Sequence, residues 1–595
     1  MTGAIAHRGP DGDGHWINKA GNVGLGHRRL SIIDLSDDGR QPMSYCDERY
    51  QIVFNGEIYN YIELKETLLQ KGFVFKSTCD TEVLLALYHE KKEKCLEDLD
   101  GMFAFAIWDE KEQRLFCARD RFGEKPFYFA LHDGALFFAS EMKALWAAGV
   151  PREADNRMLF NYLAYGYVYN PQNLSETFYA NIRKLEAAHY FFVTPQKLQP
   201  EPQRYWNIDY GAVDENITAE EAQNGFHELF YESVKRRLRS DVPVGSSLSG
   251  GLDSSLVVCV IDELNKNKTH PQATFSARFP GFAKDEGKYM QMVIDKTNVD
   301  PHFVYPDDEG LEKDFEKLFY HQEEPFGSAS IYAQFCVMRL AKENNVTVLL
   351  DGQGADELLA GYHSYFFDYF RELRNQDKPL WKQELSSYSK VHPNGAATMT
   401  GKQKFKESIP DSVRVKLSQI KWKQNLRQVF DRDFLETHFH KPSIPQTSFP
   451  KSLAESLYIS TSQGSLEELL RYCDRNSMAH SREVRLPFLS HKLAEYLFTL
   501  PSRFKIQNGV TKNIMRETFA GILPAEIVAR QDKIGYEPPQ AKWLESKIMK
   551  DRLNSANDYL LETKIVNNNF GKNMLAKNDF RLIWKVLMAE QLINN

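Results

Sequence analysis

Short apolar or alternating runs dominate the first third of the chain. YQIVFNGEIYN (50–60), GMFAFAIWDE (101–110), RLFCARD (114–120) and ALFFAS (135–140) are punctuated by Gly and Asp, the pattern that stacked sheets produce. Helices are predicted to interrupt them at 61–71 and 81–92, with Asp80 as N-cap of the second. Residues 1–195 therefore read as a sheet-rich α+β domain. A polar, Pro-containing stretch, 196–218, reads as a linker, and 219–595 as a second domain.

The second domain changes rhythm. A helix is predicted over 219–240, then the strand and turn VPVGSSLSGG, a helix over 253–266, and strands at ATFSARF and VTVLLDG (346–352). Strands separated by helices predict an α/β domain with a parallel sheet and ligands at the strand ends. From about Tyr362 the text is mainly helical, and Tyr365, Phe366, Phe367, Tyr369 and Phe370 read as packing residues.

Composition narrows the function classes. The 595 residues carry 42% hydrophobic and 26% charged residues, an ordinary globular balance, and a formal net charge of -7. That charge supplies no bulk attraction to nucleic acid or an anionic membrane, though a local basic pocket for phosphate is compatible with it. Seven scattered cysteines form no C-x-x-C pair, which predicts a reducing, cytoplasmic setting rather than a disulfide framework. Neither a signal-peptide core nor a membrane-spanning apolar run is visible, so a soluble protein is expected.

Two motifs carry the chemistry. In LSGGLDSS, Leu248, Ser249, Gly250, Gly251, Asp253, Ser254 and Ser255 lie between an apolar strand and a helix. Glycines let backbone amides approach an anion, serine hydroxyls donate, and the helix presents its positive end, so pyrophosphate is expected there. The spacing fits neither a P-loop nor a dinucleotide fingerprint. In DGQGADE, Asp351, Gly352, Gln353, Gly354 and Asp356 follow another apolar strand. Asp253 and Asp356, from neighbouring strand ends, are candidates to hold a Mg2+ that neutralises ATP phosphates.

SSLSGGLDSS, VLLDGQGADELLAGY and LLRYCDRNSMAHSREVRLPFLS together resemble the synthetase domain of glutamine-hydrolysing asparagine synthetases, members of the ATP pyrophosphatase group. HRGPDG (7–12), GHRRLSIIDLS (26–36), FNGEIYN (54–60) and CDTEVLLALY (79–88) resemble their class II glutaminase domain, an Ntn-type fold of stacked antiparallel sheets flanked by helices. The resemblance implies glutamine hydrolysis in the first domain and passage of ammonia through an internal tunnel. In the second domain it implies ATP-dependent adenylation of a carboxylate, which ammonia then attacks. It assigns Arg29 to the glutamine α-carboxylate, Asp80 and Glu57 to glutamine binding, and Asn55 with Gly56 to the oxyanion hole. It further assigns Asp253 and Asp356 to metal, and Lys533 in ARQDKIGYEPP, with Gly352, to the ATP and pyrophosphate site. Arg475, Asn476, Arg482, Glu483 and Arg485 match a family stretch whose charges suit structural ion pairs equally well. A homodimer is one assembly that the resemblance allows.

The chain also departs from that pattern. The family nucleophile is an N-terminal cysteine, whereas residue 1 is Met, residue 2 is Thr, and HRGPDG begins at His7. Ammonia-dependent activity without glutamine hydrolysis is therefore expected of the chain as written. Gln353 stands where the family commonly has Glu, removing a general base, and PFLS (487–490) replaces PFLD. Aspartate is the expected acceptor. A uronic acid sugar of surface polysaccharide synthesis is the alternative acceptor, and a non-catalytic scaffold the alternative of another class.

Overall fold

The computed structural model describes residues 1–266, 270–393, 426–439, 450–532, 537–570 and 580–594. Its first half is built on a six-stranded sheet in the order Gln203–Arg204, His189–Val193, Arg114–Arg119, Gly101–Asp109, Tyr50–Ile58, Met43–Tyr45, with every neighbouring pair antiparallel. Tyr50–Ile58 and Gly101–Asp109 pair along their full length and are buried nearly throughout. One face packs on the helix Asp80–Lys91, through Val83, Leu84 and Leu87. The other, which includes Phe191, meets Phe127 and Phe129. A sheet covered on both faces explains why these strands read as continuous apolar runs.

The helix Asp80–Lys91 begins one residue earlier than expected. Cys79, not Asp80, occupies the N-cap position and makes no side-chain cap. The Asp80 carboxylate is turned instead toward the sheet, where it accepts the Ile58 backbone N–H at 2.8 Å. A long-range partner has displaced the local cap.

The second half holds a five-stranded parallel sheet in the order Val299–Val304, Gln272–Ala277, Val244–Ser247, Val348–Leu350, Glu483–Arg485. Its central strand lies where sheet growth reverses direction, the switch point at which open α/β sheets place their ligands. Thr218 and Glu221 form a reciprocal capping box that opens the helix Ala219–Arg237. Within 196–218, Gln203–Arg204 adds an edge strand to the first sheet, while the Asp214 amide donates to Thr499 O, so the stretch straps both halves. The region after Tyr362 is mainly helical; Glu483–Arg485 completes the parallel sheet, and Ile506–Gln507 and Val510–Thr511 form a short hairpin. Tyr365, Phe366, Tyr369 and Phe370 are buried, whereas Phe367 faces outward. Among the described residues no helix is long and apolar enough to cross a membrane.

Candidate functional site

Two sites emerge, one in each half. In the second, the loop after Val244–Ser247 folds on itself through its serines: the Gly251 amide donates to Ser249 Oγ at 3.2 Å, and the Ser249 amide to Ser254 Oγ at 3.1 Å. Gly250 has φ +78°, and a Cβ there would lie 2.9 Å from the Met290 amide, so glycine is required both for the turn and for the close approach. The loop runs into the N-terminus of Leu252–Leu264, which carries Asp253, Ser254 and Ser255 in its first turns. Ser255 Oγ is buried and has no hydrogen-bond partner among the described residues. Leu248 is fully buried and anchors the loop by donating its amide to Phe275 O. Arg530 braces the turn by donating to Gly250 O at 3.0 Å, while pairing with Glu286 at 2.8 Å.

The loop after Val348–Leu350 packs directly against this one. A Cβ at Gly352 would lie 2.8 Å from both Asp253 Cβ and the Ser254 amide, so the predicted neighbouring strand ends do meet. Asp351 is buried and accepts the Gly352 and Gln353 backbone amides, and burial pushes its carboxyl up. Gln353 Oε1 is buried without a hydrogen-bond partner among the described residues.

Between the two aspartates stands a residue that sequence reasoning missed. Lys512 Nζ lies 2.5 Å from Asp253 Oδ1 and 2.6 Å from Asp356 Oδ1, the point expected to hold Mg2+. Lys512 is 4% exposed and has φ +54°, a costly conformation for a residue with a Cβ, retained where the surroundings over-determine it. It follows the hairpin formed by Ile506–Gln507 and Val510–Thr511. The one sequence signal was the turn Asn508–Gly509 between two short β-prone pairs. Lys533, the lysine expected in this site, lies outside the described residues. Two converging carboxylates match the hard-oxygen donors that Mg2+ takes alongside substrate phosphates.

In the first half, Arg29, Asn55, Gly56, Glu57 and Asp80 line one cavity of about 450 Å³. Arg29 is positioned by donating to the carbonyls of Ser36, at 2.7 Å, and Asp34. Asn55 Nδ2 donates weakly to Ser140 Oγ at 3.4 Å, leaving the amide open to a stronger acceptor. Burial pushes the Asp80 carboxyl up to about 6, and burial with Asp80 nearby drives the Glu57 carboxyl well above the ordinary range. Cys79 also lines the cavity; burial and Asp80 push its thiol up, and its Sγ lies 3.4 Å from Asp80 Oδ1. An anionic sulfur is disfavoured there.

The family stretch near 475–485 ties the halves together. Arg475 is buried between Glu141, at 3.1 Å, and Glu323, at 2.7 Å. Arg482 donates to Val346 O at 2.9 Å, and Asn476 bonds Gln322, Gln334 and Ile331 O. These residues occupy structural ion pairs and hydrogen bonds, one of the two readings left open.

Comparison with known proteins places the sequence in two families, one for each half. A family model described as asparagine synthase covers residues 225–594, and one described as a glutamine amidotransferase domain covers residues 1–206. A glutamine-hydrolyzing asparagine synthetase of Bacillus subtilis is 34% identical over 92% of this chain and 84% of its own length. A putative enzyme of that name from Methanocaldococcus jannaschii is 37% identical over 63% of this chain and 74% of its own. The amidase chry2 of Gibberella zeae is 29% identical over 91% of this chain and 84% of its own.

Proposed function

The chain belongs to the asparagine synthase family and is an ATP-dependent amide ligase, and from that premise we propose that it makes asparagine from aspartate and ammonia with MgATP. The observation that carries this reading is the meeting of the Ser249–Ser255 loop with the Asp351–Asp356 loop around Lys512 at the carboxyl edge of the parallel sheet. There the β-carboxylate oxygen of aspartate attacks the α-phosphorus of ATP, and the bond to pyrophosphate breaks. Ammonia then attacks the acyl carbon, the bond to AMP breaks, and the surplus proton is released.

The chain's own residues divide the work. Backbone amides and hydroxyls of Ser249–Ser255 receive the leaving pyrophosphate at the helix N-terminus. Lys512 adds a cation beside the developing phosphate charge. Asp253 and Asp356 would hold Mg2+, which would supply neutralisation of phosphate charge. In the first cavity, Arg29 takes a glutamine α-carboxylate, Asp80 and Glu57 its ammonium, and Asn55 with Gly56 the oxyanion. Cys79, with its thiol pushed up, supplies no nucleophile for hydrolysis.

A second acceptor is favoured by one feature. Gln353 is neutral at the position where the resemblance places a glutamate, and its Oε1 has no hydrogen-bond partner among the described residues, so it accepts a substrate hydroxyl where a carboxylate would take a proton. That suits a hydroxylated acceptor such as a uronic acid. The experiment is AMP and amide formation with MgATP, supplying aspartate or a uronic acid as acceptor and ammonium or glutamine as donor. Amide from aspartate and ammonium is expected; AMP formation with the uronic acid alone transfers the reading to the second acceptor, and no AMP with either rejects both.

A further inference from the structure

Glu57 and Glu483 grip one guanidinium from opposite halves of the molecule. Arg485 Nη2 lies 3.3 Å from Glu57 Oε1, and Arg485 Nε donates to Glu483 Oε1 at 2.7 Å. Arg485 is fully buried and is held by donating to the Arg237 and Arg239 carbonyls. It belongs to the parallel sheet, yet Glu483, two residues earlier on the same strand, lines the cavity of the first half beside Glu57 and Asp80. Arg485 therefore fixes where both glutamates stand.

The charge around this wall does not balance. Three carboxyls, Glu57, Asp80 and Glu483, meet at this wall; Arg485 pairs with Glu57 and Glu483, and Lys125, on the cavity wall and 3.8 Å from Asp474, also acts on Glu57. Glu57 is 5% exposed, and its Oε2 has no hydrogen-bond partner among the described residues. A buried carboxylate oxygen with open acceptor capacity, at the edge of a cavity of about 450 Å³, calls for a cationic donor. The repulsion agrees with this: Glu483 is among the groups that push up the carboxyls of both Glu57 and Asp80, after burial.

We propose that Glu483, carried by the ligase half, is a third carboxylate of the seat for the α-ammonium of glutamine in the first-half cavity, with Arg485 as its positioning residue. The inference rests on the reading of that cavity as a glutamine site. It makes the seat incomplete without the ligase domain, since one wall of the amino-acid pocket is an edge strand of the ATP-binding sheet.

The test uses the full chain and two ligands that differ only in the amine, L-glutamine and glutaramate, titrated calorimetrically. The intact protein is expected to prefer glutamine, and Glu483→Gln to reduce that preference about 10-fold or more through the loss of a charge-assisted contact. Glutaramate affinity is expected to stay within about 2-fold. Glu483→Asp, which keeps the charge, is expected to restore part of the preference. Equal weakening of both ligands in Glu483→Gln marks a merely structural role and overturns the proposal, as does an unchanged preference. Absence of binding by either ligand to the intact protein rejects the glutamine-site reading and the proposal with it, whereas AMP formation from ammonium reports on the ligase reading separately.

Discussion

Arg8 forms a two-pronged ion pair with Asp474, at 2.8 and 3.0 Å, across 466 positions of sequence, and the same guanidinium reaches Glu141 at 2.9 Å. All three side chains are buried. With Arg475 between Glu141 and Glu323, and Lys143 beside Glu323 at 2.9 Å, a buried charged network crosses the junction of the halves alongside the apolar core they share. Such a network adds little net stability over an apolar seam but penalises every incomplete version of itself, which makes the relative placement of the halves specific.

Removing one member should therefore cost more than the pair contributes. Arg8→Ala is expected to destabilise the protein by about 3–5 kcal/mol, because Asp474 and Glu141 are left buried without that cation. Arg8→Ala combined with Asp474→Ala should recover part of the loss. Chemical denaturation of the single and double variants measures both. A single variant within about 0.5 kcal/mol of the parent contradicts the account of the junction.

Lys512→Met should abolish most ligase turnover. Removing one preorganised charge from developing phosphate charge costs about 10²–10³-fold in kcat. The variant leaves Asp253 and Asp356 facing each other, 2.5 and 2.6 Å from where the cation stood, so tighter Mg2+ binding accompanies the loss. Steady-state AMP formation against Mg2+ concentration reads both effects. Asp253→Asn should give the opposite Mg2+ response, with a raised requirement for the ion.

How much of this was legible follows from the range of the interactions. The loop that opens the helix Leu252–Leu264 was readable because Gly250, Gly251 and Asp253 lie within a few residues of one another and a strand-to-helix turn is local. Strands such as Tyr50–Ile58 were readable because burial on both faces leaves an apolar run. Lys512 was not, since nothing in its own neighbourhood says that its Nζ lies between residues 253 and 356. Glu483–Arg485 was missed as a strand because it has three residues, two of them charged, and its pairing with Val348–Leu350 is set by position in the sheet instead of propensity. Asp80 was misread as a cap for the same reason: a distant amide outcompeted the local one.

Gln353→Glu asks what neutral Gln353 does beside buried Asp351. Restoring a carboxylate adds a second acid within two residues of one whose carboxyl burial already pushes up. An aspartate acceptor is expected to gain activity, by about 10-fold if the new carboxylate works as a base. A hydroxylated acceptor is expected to lose it. Parallel kcat/KM measurements on both acceptors decide which role Gln353 plays.

Acid should loosen the region where His321 and His480 flank Phe335, at ring-centroid distances of 6.4 and 4.3 Å. Burial holds His321 neutral down to about 2 and His480 down to about 3, with neighbouring cations adding to the effect. Both folded values lie below the ordinary 6.5, so between about pH 6.5 and those values the unfolded chain binds protons that the folded chain refuses. Stability is then fully present above about pH 6.5 and falls as the pH drops, by up to about 1.4 kcal/mol per unit for each histidine. Asp80, raised to about 6, contributes with the opposite sign, since its folded form takes up a proton more readily than the unfolded one. Subtracting a His480→Phe variant isolates one histidine from that background. Its stability should depend less steeply on pH between about 4.5 and 6.5 than the parent's, and two parallel curves from denaturant titrations across that range would show that His480 is protonated in the folded protein as easily as in the unfolded one.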